Sequence, residues 1–372
     1  MPSTVSGSDA DPAIRSLVLP RFEVASGARV TPLGNGLINE TYAVAEPAGG
    51  RRFVLQRVNP LFPAAIHLNI QAVTARLAAA GLVTPLLVPT RDGQACLQLA
   101  PSAGTDPGAG GRAVSVWRLM TFVEGVSFDV VGTSGQARAA GALIARFHGA
   151  LEGLDHPFVG LRTGVHDTAR HLATLERAVI EHGGHRLHEE VAPLAAAIAA
   201  AAAALPALPE VAPRIAHGDL KFNNVLFVGS SAAERERAVC LIDLDTVGPQ
   251  PLAFELGDAW RSWCNTSGED EAEAHLDLAI FEASLDGYLS ARGAVGLPED
   301  ARRALLLGPE WISIELAARF AADALNESYF GWNEARFASR GAHNLVRARG
   351  QLSLHRAFVS TRTVRARLLS VA

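Results

Sequence analysis

Two hydrophobic rhythms divide the chain. Between Arg29 and Phe122, apolar residues stand in short, partly alternating runs cut by glycine and proline, which is the signature of strands. An extended stretch opens at Arg29, turns at Gly34-Asn35-Gly36 and continues as Glu40-Thr41-Tyr42-Ala43-Val44. After Gly49-Gly50 comes Arg52-Phe53-Val54-Leu55-Gln56-Arg57-Val58, so the pair predicts an antiparallel hairpin. Ile66, Ile70, Val73 and Leu77, at three- and four-residue spacing, predict one helix over 64–80, with Gly81 at its C-terminal cap. Ala95–Leu99 and Ala113–Phe122 complete a small sheet, separated by a loop of Gly, Ala, Pro and Ser at 101–111.

Beyond Gly125 the period becomes that of helices. Ser134 is the predicted N-cap of a helix whose apolar face is Ala140, Leu143, Ile144, Phe147 and Leu151. A helical block covers 168–205, a short β-rich section spans Arg214–Asp245, and helices run from Glu255 to the C-terminus. The predicted class is α+β: a flexible tail (1–17), a β-rich lobe with one main helix (18–123) and a larger helical lobe (124–372). A ligand is expected in a cleft between the lobes.

Composition narrows the function. Of 372 residues 49% are hydrophobic and 19% charged, which excludes a disordered chain or a charged coiled coil. A net charge of −5 argues against a broad nucleic-acid-binding face. Cys96, Cys240 and Cys264 lie far apart without a CxxC, so neither a four-cysteine zinc site nor a disulfide framework is expected. The stretch Val191–Pro209 is uncharged but mostly alanine, with Pro193, Pro206 and Pro209, and reads as a soluble helix rather than a membrane span. With no secretory signal evident, the expected location is cytoplasmic, with no membrane or nucleic-acid partner and a monomer or dimer as the assembly.

The densest polar cluster is His217-Gly218-Asp219-Leu220-Lys221-Phe222-Asn223-Asn224, followed by Val225–Val228 and then Val239-Cys240-Leu241-Ile242-Asp243-Leu244-Asp245. Two short strands would bring a polar loop and a carboxylate to one end of a hairpin. One carboxylate to take a hydroxyl proton, a carboxylate and an amide oxygen for Mg²⁺, and a cation for the transition state are what phosphoryl transfer uses. The rival reading is a hairpin with a polar turn, but such a polar group between apolar strands is costly without a task or mutual hydrogen bonds. There is no G-x-S-x-G elbow and no G-x-x-x-x-G-K-[ST] loop.

These residues resemble the catalytic core of the aminoglycoside phosphotransferase and choline kinase family, small-molecule kinases on the protein-kinase-like fold. The N-acetylhexosamine 1-kinase branch is the most similar, through Gly34-Asn-Gly-Leu-Ile-Asn39-Glu-Thr-Tyr42, Phe53-Val-Leu-Gln-Arg-Val-Asn59, Trp117-Arg-Leu-Met, Gly257-Asp258-Ala-Trp-Arg261 and Glu315-Leu-Ala-Ala-Arg319-Phe. The likeness runs from about Leu33 to Phe330. It implies Asp219 as general base, Asn224 and Asp243 as Mg²⁺ ligands with Asp245 as a helper, and Lys221 at the transferring phosphate. His217, grouped with the catalytic residues, is expected to brace the loop, and Asp258 to order it by accepting backbone N–H groups. ATP and Mg²⁺ are the implied co-substrate and cofactor, and a sugar or amino alcohol the implied acceptor.

For the nucleotide the resemblance implies Gly34, Asn35 and Gly36 over the phosphates and Met120 and Phe122 at the adenine. For the acceptor it implies Ile38, Asn39, Arg261, Arg319 and Tyr329. The sequence departs from the wider pattern where a strand lysine is usual: Gln56 holds that position, Arg57 points to the opposite face, and no glutamate occurs in 64–80. Arg57 is the substitute cation suggested by the sequence. The missing lysine also keeps a catalytically inactive, nucleotide-binding scaffold as an alternative. Acids at Glu269–Glu273 and Asp323 keep open a cationic acceptor of the aminoglycoside or choline type. His182, His185 and His188 read as a solvated helix face, and Glu269–Glu273 as a solvated turn.

Overall fold

In the computed structural model, which describes residues 12–34, 38–100, 114–293 and 296–371, the strand-patterned stretch closes into one antiparallel sheet. Its elements are β1 (Arg29–Pro32), β2 (Glu40–Ala45), β3 (Arg52–Val58), the helix α1 (Ile66–Ala79), β4 (Leu87–Val88), β5 (Leu97–Leu99) and β6 (Ser115–Thr121). The strand order is β1-β2-β3-β6-β4, with β5 also paired to β6. Alternation sends Val30, Val44, Phe53, Leu55, Trp117 and Leu119 to one face, where they bury against Ile14, Val18, Leu19 and Phe22. Residues 12–17 are therefore not part of a loose tail: Ile14 and Val18, one helical turn apart, are both buried. Two-residue β4 escaped the sequence reading because alternation needs more length to show.

The chain divides into two compact units. The first runs through Glu124 and also takes Gly153–Leu161; the second holds Gly125–Glu152 and the chain from Arg162 onward. The returning segment is held to α1 by Asn69, whose side chain donates to the Val159 carbonyl (2.8 Å) and accepts from the Val159 N–H (3.0 Å). A linear partition at residue 123 misses this excursion, since its cause is a single polar side chain on a helix.

The second unit is mainly helical: α2 (Ser134–Leu151), α3 (Thr168–Glu181), α4 (His188–Ala203), α5 (Leu252–Trp263), α6 (Leu278–Arg292), α7 (Glu299–Asn326), α8 (Arg340–Ser360) and α9 (Arg362–Leu368). Between α4 and α5 lie two short ladders, β7 (Arg214–Ala216) with β10 (Gly248–Gln250) and β8 (Val225–Phe227) with β9 (Ala238–Leu241). The cap of α2 is Thr133 rather than Ser134; its hydroxyl accepts from the Gln136 N–H at 3.1 Å. The expected block 168–205 is two helices. His182 and His185 lie in the turn between them, reaching Asn326 Oδ1 (2.9 Å) and Glu327 Oε1 (3.1 Å), and His188, opening α4, reaches the Val179 carbonyl (3.2 Å), so the three anchor that turn instead of forming a solvated face.

In the alanine-rich α4, Val191 and Ile198 join a core with Leu175, Ile314, Phe320, Leu345 and Leu352. Among the described residues no helix is long and apolar enough to cross a membrane.

Helices α2 and α6 approach until backbone touches backbone. A Cβ on Gly141 would stand 2.0 Å from the Ser284 carbonyl oxygen, and one on Gly287 2.0 Å from that of Arg138. Gly141→Ala is expected to cost about 1–3 kcal/mol by overpacking and to lower the thermal midpoint. An unchanged midpoint by calorimetry would contradict the close approach.

Candidate active site

The polar loop begins where β7 ends. Gly218 has φ +82°, and an added Cβ would meet Gln250 Nε2 at 2.4 Å and the Thr246 carbonyl at 2.7 Å, so only glycine fits the bend. Four hydrogen bonds then fasten the loop to its surroundings. His217 Nε2 donates to the Ile242 carbonyl (2.8 Å), the Ile242 N–H donates to the Asn224 carbonyl (2.9 Å), Thr246 Oγ1 donates to the His217 carbonyl (2.9 Å), and Trp263 Nε1 donates to the Leu220 carbonyl (2.7 Å). The polar bend and the acidic end of β9 are thus joined directly, residue 242 being clasped by both ends of the loop.

His217 is fully buried and spends both ring nitrogens on the backbone, Nδ1 accepting from the Asp219 N–H at 3.3 Å. That geometry makes it a brace, not a group in proton transfer. Asp219 is partly exposed and accepts from Lys221 Nζ at 3.1 Å. Asn224 donates Nδ2 to the Asp219 carbonyl (2.8 Å), so its side-chain oxygen is the atom left to meet a cation. Asp243 sits at φ +64°, a left-handed conformation that costs a non-glycine residue about 1–3 kcal/mol. Asp245 follows in a 3-10 turn and is buried. Two carboxylates and an amide oxygen are hard donors of the kind Mg²⁺ takes, so the side chains present fit such an ion.

Behind the loop stands a residue the sequence reading missed. Glu255, in the first turn of α5, is buried and accepts from the N–H groups of His217 (2.8 Å) and Gly218 (2.9 Å). This is the task expected of Asp258, which instead takes Arg261 Nε at 2.8 Å. A signal was available: Glu255 shares helical spacing with Leu252, Leu256 and Ala259, which puts it on the buried face. His148 of α2 faces Glu255 (Nε2, 3.4 Å) and meets the Tyr288 hydroxyl through Nδ1 (3.0 Å). Burial pushes the His148 pKa down, so the ring stays neutral, with Nε2–H donating to Glu255. Burial alone would raise the Glu255 pKa; the hydrogen bonds it accepts from His148 and the Gly218 N–H lower it below the ordinary value.

Beside the loop the charges are matched. Burial disfavours the Lys221 ammonium, but Asp219, Asp258 and Glu269 together raise its pKa above the usual lysine value. Asp258 is likewise held low against burial by Arg261, with His166 and Lys221 adding. Arg261 is buried and bridges Asp258 and Glu269 (3.1 Å), so its guanidinium is already occupied. Arg319 lies 3.9 Å from Glu315 and over the Tyr329 and Phe330 rings (6.0 and 5.4 Å). Arg162 Nη2 donates to the Tyr329 hydroxyl at 3.1 Å. His166, stacked on Phe254 at 4.7 Å, holds Glu315 through Nδ1 at 3.2 Å. Arg162 and His166 carry no periodic signal and were not singled out from the sequence.

The acids that kept a cationic acceptor open are engaged elsewhere. Asp323 accepts from the N–H groups of Ser328, Tyr329 and Phe330 and from Asn344. The run 269–273 is the exposed turn the sequence predicts, and within it Asp270 takes His343 and Arg347 while Glu271 takes Arg336.

In the first unit, Asn35 and Gly36 lie outside the described residues, while Gly34 closes β1 at φ +70°. Ile38 is exposed and its carbonyl accepts from Asn59 Nδ2 (3.2 Å); Asn39 is buried and its Oδ1 accepts from the Asn59 N–H (2.9 Å). Arg57 is exposed and pairs with Glu40 (3.1 Å). Gln56 lies on the other face, donating to Thr41 Oγ1 (3.0 Å) and accepting from Arg118 Nε (2.8 Å). Met120 faces Val54 in register, and the guanidinium of Arg52 covers the Phe122 ring at 3.8 Å.

A model of the phosphotransferase enzyme family matches residues 29–293, and the chain belongs to that family. It is a small-molecule phosphotransferase with an alcohol group as acceptor. Among solved structures, a microcompartment-associated aminopropanol kinase is 18% identical, covering 95% of this chain and 98% of its own, with a TM-score of 0.61. An aminoglycoside phosphotransferase from Alicyclobacillus acidocaldarius is 16% identical, covering 92% and 94%, at 0.58. Amicoumacin kinase in complex with AMP-PNP and Ca²⁺ is 12% identical, covering 87% of each chain, at 0.56. At such identities the likeness is one of fold, and the fold is the α+β, protein-kinase-like one.

Glu255→Ala strands two buried N–H groups and is expected to cost about 3–5 kcal/mol of stability. It should also lower kcat roughly 100-fold through loop displacement; urea unfolding and steady-state kinetics measure the two losses. A pH dependence follows from His148. Its folded pKa lies below the unfolded value of about 6.5, so the unfolded chain binds the extra proton. Stability should be full above pH 6.5 and fall, as pH drops toward the folded value, by up to about 1.4 kcal/mol per unit. His355, also lowered by burial, acts in the same direction. Unfolding free energies that are flat from pH 7.5 to 5.5 would contradict neutral burial.

Proposed function

We propose that this phosphotransferase moves the γ-phosphoryl group of ATP to a sugar hydroxyl, the anomeric 1-OH of an N-acetylhexosamine or related hexose. The observation that carries the reading is the clasp of residue 242 by His217 and Asn224, which sets the Asp219 loop against the Asp243 turn. In this reading Asp219 accepts the acceptor's hydroxyl proton, late in a loose transition state that asks little of its base. Lys221, kept charged by its carboxylate neighbours, offsets phosphate charge. Asn224, Asp243 and Asp245 would hold Mg²⁺, which supplies charge neutralisation on the phosphates.

Supporting the sugar is the state of the acids. Asp323, Asp270 and Glu269 are all engaged by internal donors, whereas a cationic acceptor calls for carboxylates free to meet it. Arg319, Tyr329, Arg162 and His166 instead offer donors, an acceptor nitrogen and aromatic surface, which suits a polyhydroxyl ring. The fold likeness to an aminopropanol kinase favours the second reading, an amino alcohol as acceptor.

Asp219→Asn is expected to lower kcat roughly 10²- to 10⁴-fold while Mg·AMP-PNP affinity stays within about twofold. ADP release should be fastest with N-acetylglucosamine or N-acetylgalactosamine, with an anomeric phosphate visible by phosphorus NMR. Turnover only with 1-amino-2-propanol, ethanolamine or choline would favour the second reading. A wild-type rate in Asp219→Asn would remove the base assignment.

A further inference from the structure

A neutral imidazole has one N–H and one lone pair, and what each nitrogen faces decides which carries the proton. His148 of α2 faces Glu255 of α5 at Nε2 (3.4 Å) and the Tyr288 hydroxyl of α6 at Nδ1 (3.0 Å). All three side chains are buried. Glu255, ionised, offers only lone pairs. The phenol can give or take a proton, so its own surroundings decide. Arg214 of β7 donates Nη1 to the Tyr288 oxygen (3.4 Å), and Arg292, one helical turn beyond Tyr288, sets a second positive charge beside it. Guanidinium groups carry donors only, so among these neighbours the acceptor for the phenol proton is His148 Nδ1. Burial outweighs the two cations and holds the Tyr288 pKa above the usual value, so the phenol keeps the proton it donates.

We infer that Tyr288 is a positioning residue for the 217–224 loop: its hydroxyl, held by Arg214, donates to His148 Nδ1 and fixes the tautomer whose Nε2–H supports Glu255. The opposite tautomer would turn a nitrogen lone pair toward a buried carboxylate, two acceptors face to face. Glu255 in turn holds the N–H groups of His217 and Gly218, the two residues before Asp219. Phenylalanine at 288 keeps the ring and its edge contact with His148 (5.8 Å between centroids) and removes the hydrogen bond alone. Without that donor the neutral imidazole loses its partner at Nδ1, so His148 takes up a proton at higher pH. The charged groups facing His148 from the packed elements, Glu255, Arg214 and Arg292, are unchanged by that substitution. The inference rests on the reading of Asp219 as the acceptor's base, and the experiment separates the two.

Nitrogen NMR of the histidine rings in the full chain reads the tautomer directly, with His148→Gln assigning the signal. At about pH 7.5 the wild-type ring is expected to be neutral, protonated at Nε2 and bare at Nδ1. Tyr288→Phe is expected to move the His148 titration up by about one pH unit. It should also lower kcat roughly 3- to 30-fold, with KM for ATP within about twofold. Arg214→Met, which leaves the phenol in place but frees it to turn, should move both quantities in the same direction by less. If Tyr288→Phe does not fold, by circular dichroism, the wild-type tautomer and Arg214→Met decide. A wild-type ring protonated at Nδ1, or a folded Tyr288→Phe in which either the titration or kcat keeps its wild-type value, would overturn the inference. A wild-type rate in Asp219→Asn would instead overturn the base reading, and with it the link from Tyr288 to turnover, while the tautomer still reads as above.

Discussion

A buried carboxylate accepting two consecutive backbone N–H groups is the constraint on which the polar loop at 217–224 depends. Glu255 sits in the first turn of α5 and takes the N–H groups of His217 and Gly218, the residues that carry the chain from β7 into the bend. A buried carboxylate without partners is unfavourable, so the site exists only because donors converge on it. Behind it, Arg214 and Tyr288 lead to His148, which keeps its proton on the nitrogen facing Glu255. The relay draws on β7, α6, α2 and α5, and α2 and α6 reach it only because glycines let their backbones touch.

In front of that support, the exposed chemistry is assembled from charges that cancel locally. Lys221 leans on Asp219, Arg261 on Asp258 and Glu269, and Arg319 toward Glu315. For Lys221, Asp258 and Arg261 the neighbouring charges outweigh burial and favour the charged form. The arrangement bears on the acceptor, since acids already engaged inside the protein offer little to a cation from outside. It bears as well on Asp323, which uses its carboxylate to shape the turn carrying Tyr329 rather than to meet a ligand.

The sheet shows how a polar residue can be supported from a neighbouring strand. Read along β3 alone, Gln56 looks like a loss and Arg57 like its replacement. Read across the strands, Gln56 is the middle of a hydrogen-bonded row ending in Arg118. Period-two alternation assigns Arg57 to the face opposite Gln56, but alternation along one strand carries no information about the strand beside it.

What the sequence determined by itself was local. Apolar spacing located β3, α1 and the helical second unit, because burying one face is a requirement that leaves a period in the chain. The motif His217-x-Asp219-x-x-x-x-Asn224 and the distant Asp243 were legible as residue types suited to phosphoryl transfer. Tertiary structure alone decided which polar side chains support which. Glu255 in place of Asp258, Asn69 drawing Gly153–Leu161 back to the first unit, and Arg118 beside Gln56 all depend on hydrogen bonds between residues far apart in sequence. Such bonds are set by distance and direction in space, and a polar residue buried to make one carries the same letter as a residue facing water.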